Sequence, residues 1–447
     1  MEELYNRVLE LLIQHNQAHL LQFYDELSEA SQLKLLNQIL SINWDQWAAL
    51  EEVRAAQTPA IYEDLSPIGA LDWELFSEEQ QQYFTDKGWE LLRQGRVGAI
   101  VVAGGQGSRL GHEGPKGTYD IGLPSHKSLF QLQAERLLNL SQRAGSRIPW
   151  YIMTSPDNHQ QTVDYMAGAG YFGYSADDCV FFDQGVMPAV DEEGRIFLSE
   201  KDEIGLAPSG NGECFAALNK SGALVDMKRR GVDWLFYYNV DNALIKVADP
   251  GFVGVAAHYN NPIATKVIDK AYPEEKVGII CMKNNRPMVV EYSDLPQHLM
   301  FECNSEGKLT YGLGNISIHL FRRDWIEQQV NNSIPYHIAH KKIRHVDVNG
   351  QIIEASQPNG YKFERFIFDF FPSAAGITVL KGKREHDFAP VKNKEGEDSP
   401  QTARKLIYEL HRSWLLKAGV SLDEVQGPVE ISPLLSYAGE GLTREII

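Results

Sequence analysis

The sequence has few cysteines, no long apolar run and no basic segment. Its four cysteines in 447 residues lie far apart and form no C-x-x-C pair, so nothing indicates a zinc site or a redox motif. No apolar stretch approaches the roughly 18 residues that cross a bilayer. The first residues lack the basic start and the small-residue cleavage site of a signal peptide. These absences predict a cytoplasmic protein without a membrane partner.

The charge balance is acidic. Sixty Asp and Glu residues against 42 Lys and Arg residues give a net charge of −18. Such a surface repels the phosphate backbone of DNA or RNA, so we expect no nucleic-acid partner. A small phosphorylated ligand is compatible with this charge, because a few cations in a cleft decide its affinity.

Hydrophobic periodicity divides the chain into three regions. Apolar residues recur at helical spacing from Leu4 to about Leu50, and a looser segment follows from Thr58 to Leu71. From Val97 onward, short apolar strands at 97–102, 150–153, 234–240 and 277–282 alternate with helical stretches such as 129–140. After Phe371 the pattern predicts a strand at 376–380, a charged loop at 381–401 and a helix at 402–416.

These patterns predict an α/β protein. We expect a mostly helical amino-terminal region at 1–95, a central domain with a Rossmann-like mixed sheet at 96–375, and a small carboxy-terminal domain at 376–447.

A glycine-rich turn after the strand at 97–102 is the strongest candidate site. Gly105, Gly107 and Gly111 do not have the G-x-G-x-x-G spacing of a dinucleotide loop, and Lys116 does not stand in a Walker G-K-[ST] sequence. Glycines with positive φ let backbone N–H groups approach phosphate oxygens, and Arg109 and Lys116 add two cations. The motif predicts a phosphate cradle, and the alternative is a tight turn with surface cations.

A carboxylate follows the strand at 234–240. Asp241 stands where ligands of open α/β sheets bind, and one Asp can hold a Mg²⁺ ion that takes its other ligands from water and phosphate. The alternative is an Asp that caps the next turn. A metal-dependent sugar transferase more often has D-x-D here, and this chain has Asn239 in the first position.

Further candidates are ambiguous when taken singly. The Pro- and Gly-rich loop around Asn211 could read a planar base edge, or it could be a plain turn. Glu291 and Asn315 are of the type that binds sugar hydroxyls, and Lys392 could pair with phosphate or could lie in solvent. No G-x-S-x-G motif or H-x-x-x-H pair with a carboxylate indicates a nucleophile or a metal cage.

In their order along the chain, these motifs resemble the UDP-N-acetylhexosamine pyrophosphorylases, the eukaryotic-type branch of the uridylyltransferase superfamily. The similarity covers nearly the whole chain. The matching segments are Ala103-Gly-Gly-Gln-Gly-Ser-Arg-Leu-Gly, Pro115-Lys-Gly-Thr-Tyr-Asp, Asn239-Val-Asp-Asn, Val289-Val-Glu-Tyr-Ser, Gly314-Asn-Ile-Ser-Ile-His, Pro358-Asn-Gly-Tyr-Lys-Phe-Glu, Asp387-Phe-Ala-Pro-Val-Lys-Asn and Ser432-Pro-Leu-Leu-Ser-Tyr-Ala-Gly-Glu-Gly.

The resemblance implies a nucleotidyltransferase domain and a role for each matching residue. Three catalytic residues are implied: Arg109, Lys116 and Lys392. The nucleotide would be bound by Gly104, Gly105, Gly107, Gln133, Gly210, Asn211 and Gly212, and the sugar phosphate by Glu291, Gly314, Asn315 and Lys362. Asp241 would bind Mg²⁺ or Mn²⁺. Ser209 and Glu213 depart from the family, which usually has Asp and Gly there.

The implied reaction forms UDP-N-acetylhexosamine and pyrophosphate from UTP and N-acetylhexosamine 1-phosphate. The sugar phosphate would attack the α-phosphorus of UTP in line, so charge neutralisation and positioning replace an acid and base pair. A UDP-glucose or broad-specificity UDP-sugar pyrophosphorylase and a non-catalytic nucleotide-sugar-binding protein are the alternatives. A nicotinamide-dependent oxidoreductase is disfavoured by the glycine spacing.

Overall fold

The computed structural model describes residues 1–56, 64–421, 425 and 427–445. The helices are α1 Glu2–Gln14, α2 Glu29–Ser41, α3 Trp44–Ala56, α4 Glu78–Arg93, α5 Leu129–Ala144, α6 His159–Gly168, α7 Cys214–Lys220, α8 Ala223–Arg230, α9 Pro250–Tyr259, α10 Gln297–Met300, α11 Arg323–Gln329, α12 Arg384–Asp387 and α13 Pro400–Lys417. The strands are β1 Leu65–Pro67, β2 Leu71–Asp72, β3 Val97–Val102, β4 Trp150–Thr154, β5 Cys179–Asp183, β6 Val186–Pro188, β7 Val190–Asp191, β8 Leu198–Glu200, β9 Glu203–Ile204, β10 Leu206–Pro208, β11 Trp234–Asn239, β12 Ile263–Asp269, β13 Ile279–Lys283, β14 Arg286–Val290, β15 Leu313–Arg322, β16 His337–Lys341, β17 His345–Val346, β18 Ile352–Ile353, β19 Gly360–Glu364 and β20 Ile377–Lys381.

The chain forms two compact units, each assembled from separate stretches of sequence. The sheet unit comprises Tyr62–Asp183, Cys214–Asn332 and Phe368–Ile447. The helical unit comprises Met1–Ile61, Gln184–Glu213 and Ser333–Ile367. No helix among the described residues is both long and apolar enough to cross a membrane.

The sheet unit is organised around a mixed sheet that has 11 strands in the described part of the chain. Its main order is β2, β20, β12, β15, β11, β3, β4 and β5, and β13 joins it beside β15 with β1 and β14. Strands β11, β3, β4 and β5 run parallel, whereas β15 runs antiparallel to both β11 and β12. The carboxyl ends of β3 and β11 therefore meet at one edge of the sheet, where ligands of such sheets bind.

Helices α4 and α9 pack together within the sheet unit because each presents a glycine to the backbone of the other. An added Cβ at Gly88 would lie 1.8 Å from the carbonyl oxygen of Pro250, and one at Gly254 would lie 1.7 Å from that of Phe84. Any larger side chain would separate the two helices. Beneath the helices, β3 and β11 are buried along nearly their whole length, which explains their continuous apolar sequences.

The helical unit has a core of its own. The apolar faces of its helices bury Val8, Leu12 and Leu35 together with Val190 and Phe363 from its strands. Strands β16, β19 and β7 form a small antiparallel sheet in the same unit. Helical periodicity in the first 50 residues thus supplies one wall of this core.

The predicted α/β class, mixed central sheet and helical amino-terminal region are confirmed. The predicted strands and the helices at 129–140 and 402–416 are present to within a few residues. Residues 57–63 of the predicted looser segment lie outside the described residues.

The two units follow boundaries that differ from our predicted domain limits. Helix α4, assigned by sequence to the first region, belongs to the sheet unit. Strand β20, assigned to a separate carboxy-terminal domain, pairs with β12 and β2 inside the central sheet. An apolar strand gains ladder hydrogen bonds by joining a sheet, and sequence periodicity does not show which sheet it joins.

Candidate active site

The glycine-rich turn leaves β3 and folds back on itself. The N–H of Gly107 donates to the carbonyl of Gly114 at 2.9 Å, and that of Lys116 donates to the carbonyl of Gly105 at 3.0 Å. The buried Asn158 side chain donates to the carbonyl of Ala103 at 2.9 Å. These contacts fix the loop without using the N–H groups at its tip.

The tip of the turn is open to a ligand. Within the described chain, the N–H groups of Gly104, Gly105 and Gln106 donate no hydrogen bond. An added Cβ at Gly105 would meet nothing within 4 Å, whereas one at Gly107 would lie 2.8 Å from the His112 side chain. Gly107 therefore allows the loop to pack, and Gly105 leaves space in front of it.

One detail of the prediction for this turn is wrong. We expected positive φ angles at the glycines that end the strand, but the positive angles in this loop are at Gly111 (73°) and Gly114 (145°). The turn reverses later than expected, because it first forms the short helical turn Ser108–Leu110.

Lys116 and Asp241 meet at this edge of the sheet. The Lys116 ammonium lies 3.4 Å from the Asp241 carboxylate, and their side chains are 18% and 17% exposed. The two residues are 125 positions apart in sequence. Because both charges are partly accessible, each can also reach a ligand placed over the edge.

Asp241 belongs to a turn that is held by residues 387–391. The Asn242 side chain donates to the carbonyl of Asp387 at 2.7 Å and accepts from the N–H of Ala389 at 3.0 Å. The N–H of Val391 donates to the carbonyl of Asp241 at 2.9 Å. The motifs Asn239-Val-Asp-Asn and Asp387-Phe-Ala-Pro-Val-Lys-Asn therefore form one structural element, which places Lys392 next in sequence to a residue bonded to Asp241.

Gln133 lies in the interior of the sheet unit. Its amide donates to the carbonyl of Val240 at 2.8 Å and accepts from the Tyr238 hydroxyl at 3.3 Å, and the residue is 1% exposed. These contacts hold the end of β11, next to Asp241. Its role in nucleotide recognition stays a prediction.

The structure also brings together the predicted sugar-binding residues of the sheet unit. Glu291 follows β14, and its carboxylate lies 3.1 Å from the position of a Cβ added at Gly278. The N–H of Asn315 donates to the carbonyl of Gly278 at 2.8 Å. Gly314 pairs with Ile279 in the sheet, and an added Cβ would lie 3.1 Å from Val277. Gly278 thus stands between the two predicted polar groups.

In the helical unit, the Gly210-Asn211-Gly212 turn packs against the backbone of Arg365. Gly210 has φ +90°, and an added Cβ would lie 2.4 Å from the Arg365 carbonyl oxygen. The N–H of Gly212 donates to that carbonyl at 2.9 Å, and the Asn211 side chain accepts from the N–H of Ile367 at 2.9 Å. Both glycines are thus required by packing.

The two residues that depart from the family pattern have structural partners. Ser209 donates through its hydroxyl to the carbonyl of Gly185 at 2.7 Å. Glu213 forms an ion pair of 2.8 Å with Arg365, whose guanidinium lies 3.8 Å from the centre of the Tyr336 ring. Burial raises the pKa of Tyr336 to about 12, although the nearby Arg365 opposes that shift.

Three predicted cations differ in what holds them. The exposed side chain of Arg109 makes no hydrogen bond or ion pair within the described residues, and neither does the half-buried side chain of Lys362 on β19. Lys392 pairs with Asp398 at 3.4 Å. Their roles toward phosphate stay predictions.

Sequence reasoning missed Asn158, the role of Asn242, and Lys394. The Lys394 ammonium lies 3.8 Å from the position of a Cβ added at Gly111, so this cation stands against the glycine-rich turn. Its spacing of two residues from Lys392 in a charged loop is the only signal that could have indicated it.

The donor set around Asp241 suits a cation that keeps most of its water. Among the described residues there is no cluster of three or more His, Cys, Asp and Glu side chains that could cage a metal. One partly exposed carboxylate beside the open glycine-rich turn fits Mg²⁺, which takes its remaining ligands from water and phosphate oxygens.

Comparisons with known proteins identify the family. Residues 30–429 match the UTP–glucose-1-phosphate uridylyltransferase family. The chain is 35% identical to the UDP-N-acetylhexosamine pyrophosphorylase-like protein 1 of Mus musculus, with 95% of this chain and 92% of the relative covered. It is 37% identical to the UDP-N-acetylglucosamine pyrophosphorylase of Saccharomyces cerevisiae, with 97% and 96% covered.

A solved structure extends the likeness to the fold. The uridine diphosphate N-acetylglucosamine pyrophosphorylase of Trypanosoma brucei, crystallised with an inhibitor, aligns with a TM-score of 0.83 at 27% identity, covering 100% of this chain and 95% of that one. The fold is that of the UDP-sugar pyrophosphorylases. The chain belongs to the UTP–glucose-1-phosphate uridylyltransferase family.

Proposed function

We propose that the protein is a uridylyltransferase that joins UTP and N-acetylhexosamine 1-phosphate to form UDP-N-acetylhexosamine and pyrophosphate. The observation that carries this proposal is the 3.4 Å pair of Lys116 and Asp241 at the carboxyl ends of β3 and β11, beside an open glycine-rich turn. The names of the relatives support the same reaction and favour an N-acetylated sugar.

The reaction requires no protein nucleophile. An oxygen of the sugar phosphate attacks the α-phosphorus of UTP, the bond between the α-phosphorus and the bridging oxygen breaks, and pyrophosphate departs with that oxygen. Free N–H groups at Gly104, Gly105 and Gln106 would stabilise the phosphates, and Arg109 and Lys116 would neutralise their charge. Lys392 would approach from the segment bonded to Asp241.

Asp241 is the residue that would hold Mg²⁺ or Mn²⁺. When bound, the ion would neutralise charge on the triphosphate. The Lys116 ammonium lies close enough to Asp241 to keep the carboxylate oriented before ligands arrive.

The predicted roles in the helical unit are retained in the proposal. The Gly210-Asn211-Gly212 turn would recognise the uracil, a role that the resemblance to the family implies. Lys362 would contact the sugar phosphate. Ser209 bonds to Gly185 and Glu213 pairs with Arg365, and these structural partners support the catalytic proposal over a non-catalytic binding protein.

We also propose a cytoplasmic location. All four cysteines are free thiols in the structure, and three of them are buried. Free thiols are typical of a reducing compartment.

The test is pyrophosphate release by the purified chain. UTP and ATP are each combined with N-acetylglucosamine, N-acetylgalactosamine or glucose 1-phosphate, with Mg²⁺ or with a chelator. We expect release with UTP and an N-acetylhexosamine 1-phosphate, and its loss on chelation. Faster turnover of glucose 1-phosphate would overturn the sugar assignment, and no release from any pair would overturn the proposed function.

A further inference from the structure

Four charged side chains cluster next to the segment 387–392 in the sheet unit. The Lys266 ammonium lies 2.8 Å from the Asp249 carboxylate and 2.9 Å from that of Asp387, and the Lys246 ammonium lies 3.2 Å from Asp387. The side chains of Lys266 and Asp387 are each 5% exposed. We call these four residues the charge cluster. None of them is among the predicted site residues.

Ion pairing favours the charged forms of Asp387 and Lys266 although both side chains are buried. Burial by itself would raise the pKa of Asp387, but Lys246 and Lys266 outweigh it and hold that pKa below its ordinary value. Burial would likewise lower the pKa of Lys266, but Asp249 and Asp387 raise it. Buried ion pairs contribute little net stability compared with apolar residues of equal volume, so stability alone does not account for the cluster.

Hydrogen bonds connect the charge cluster to the candidate active site. The backbone carbonyl of Asp387 accepts from Asn242, and Asn242 accepts from Ala389. Two residues further on, the N–H of Val391 donates to the carbonyl of Asp241. Lys266 lies on β12 and Asp249 caps α9, so the cluster fastens residues 387–391 to rigid elements of the sheet unit.

We propose that Asp387 is a positioning residue for the transfer reaction, which anchors the segment 387–392 to β12 and α9 and so sets the location from which Lys392 acts. This proposal rests on the proposed function. A shift of about 1 Å in such a group can cost about 100-fold in rate, because the reacting atoms lose alignment.

The first test compares Asp387→Asn with a matched control. Asp178 is a buried carboxylate of the same unit and lies 2.8 Å from Arg230. Among the described residues, it has no hydrogen bond or ion pair with residues 239–242 or 387–392. We expect Asp387→Asn to lower kcat by ~10- to ~100-fold with less than ~3-fold change in the KM for UTP, and Asp178→Asn to leave kcat within ~2-fold. Activity is normalised to the folded fraction, measured by circular dichroism.

The second test asks whether Asp387 acts through Lys392. If it does, Asp387→Asn combined with Lys392→Met lowers kcat no further than Lys392→Met alone. Multiplicative losses would overturn the proposal. If Asp387→Asn does not fold, Lys246→Met replaces it, because the Lys246 side chain is 25% exposed and Lys266 still bridges both carboxylates. This variant should lower kcat several-fold.

A third test measures ligand affinity under conditions without catalysis. Calorimetric titration of UDP-N-acetylglucosamine in the presence of a chelator should give weaker binding for Asp387→Asn than for Asp178→Asn. If the wild-type chain is active, and Asp387→Asn and Asp178→Asn have equal affinity and equal kcat, the positioning role of Asp387 is overturned and the proposed function stands. A wild-type chain without turnover would overturn the proposed function and this inference together.

Discussion

The two units fix their predicted ligand-binding loops by different physical means. In the helical unit, the Gly210-Asn211-Gly212 turn is held by close backbone packing on Arg365, without space for a Cβ. In the sheet unit, the glycine-rich turn is open at Gly105, and the Asp241 turn is held by side-chain hydrogen bonds and the buried charge cluster. One loop is determined by steric exclusion and the other by charge and hydrogen bonding.

This difference indicates what each loop tolerates. A loop fixed by excluded volume fails when a methyl group is added, whatever its charge. A loop fixed by buried charges keeps its shape when volume changes slightly, but it fails when one charge is removed and its partners are left unpaired. The predictions below follow from this comparison.

The largest effect is expected at the Lys116 and Asp241 pair. Lys116→Ala and Asp241→Ala should each lower kcat by at least ~10²-fold, as expected for a lost charge-stabilising contact, while the melting temperature changes little. Steady-state pyrophosphate release measures the effect. Retained turnover in both variants would show that this pair is not part of the active site. The positioning role proposed for Asp387 would then lose its basis.

A substitution at Gly210 tests whether the turn of the helical unit is fixed by steric exclusion. Gly210→Ala should destabilise the chain by about 2 to 4 kcal/mol, because the methyl group clashes with the Arg365 carbonyl and the φ of +90° is unfavourable for Ala. Urea unfolding followed by tryptophan fluorescence measures the loss. Gly168→Ala, where nothing lies within 4 Å, is the control and should lose far less.

Gly105→Ala should behave in the opposite way. With nothing within 4 Å of the added Cβ, stability should stay within about 0.5 kcal/mol of wild type, while the KM for UTP rises several-fold. Equal destabilisation at Gly105 and Gly210 would contradict the distinction between an open and a packed turn.

Acid should weaken the sheet unit through buried His319. Burial lowers the pKa of His319 to about 3, against 6.5 in the unfolded chain. The unfolded state therefore binds more protons as the pH falls below 6.5, and stability is lost progressively until about pH 3. Between pH 7 and 5 the loss is about 2 kcal/mol, at about 1.4 kcal/mol per pKa unit. The same titration of His319→Gln should show a shallower pH dependence.

A small loss of stability is expected at the ion pair of the helical unit. Glu213→Gln should cost about 1 kcal/mol, because the pair is partly exposed and Arg365 keeps its contact with Tyr336. In chemical denaturation, Asp387→Asn should be clearly less stable than Glu213→Gln, because it leaves the buried Lys266 and the partly exposed Lys246 with only the Asp249 carboxylate. A larger loss for Glu213→Gln would reverse the comparison.

The sequence alone determined the local elements and the kinds of residue at the site. Apolar runs predicted β3 and β11, helical periodicity predicted the helices of the first 50 residues, and glycines with cations made the turn after β3 a candidate anion-binding loop. Each of these sequence patterns lies within about 15 consecutive residues. Over that length, backbone sterics and hydrophobic periodicity determine the local structure. The order of the motifs was sufficient to indicate the family.

Only the tertiary structure decided which of these residues meet. Lys116 contacts Asp241 across 125 positions, Glu213 meets Arg365 across 152, and Lys266 reaches Asp387 across 121. Lys116 meets Asp241 because β3 and β11 are parallel neighbours in the sheet. Lys266 meets Asp387 because β20 joins the sheet beside β12 and carries residues 387–392 to the end of β11. Strand pairing of this kind depends on long-range chain topology and burial, which no local pattern encodes.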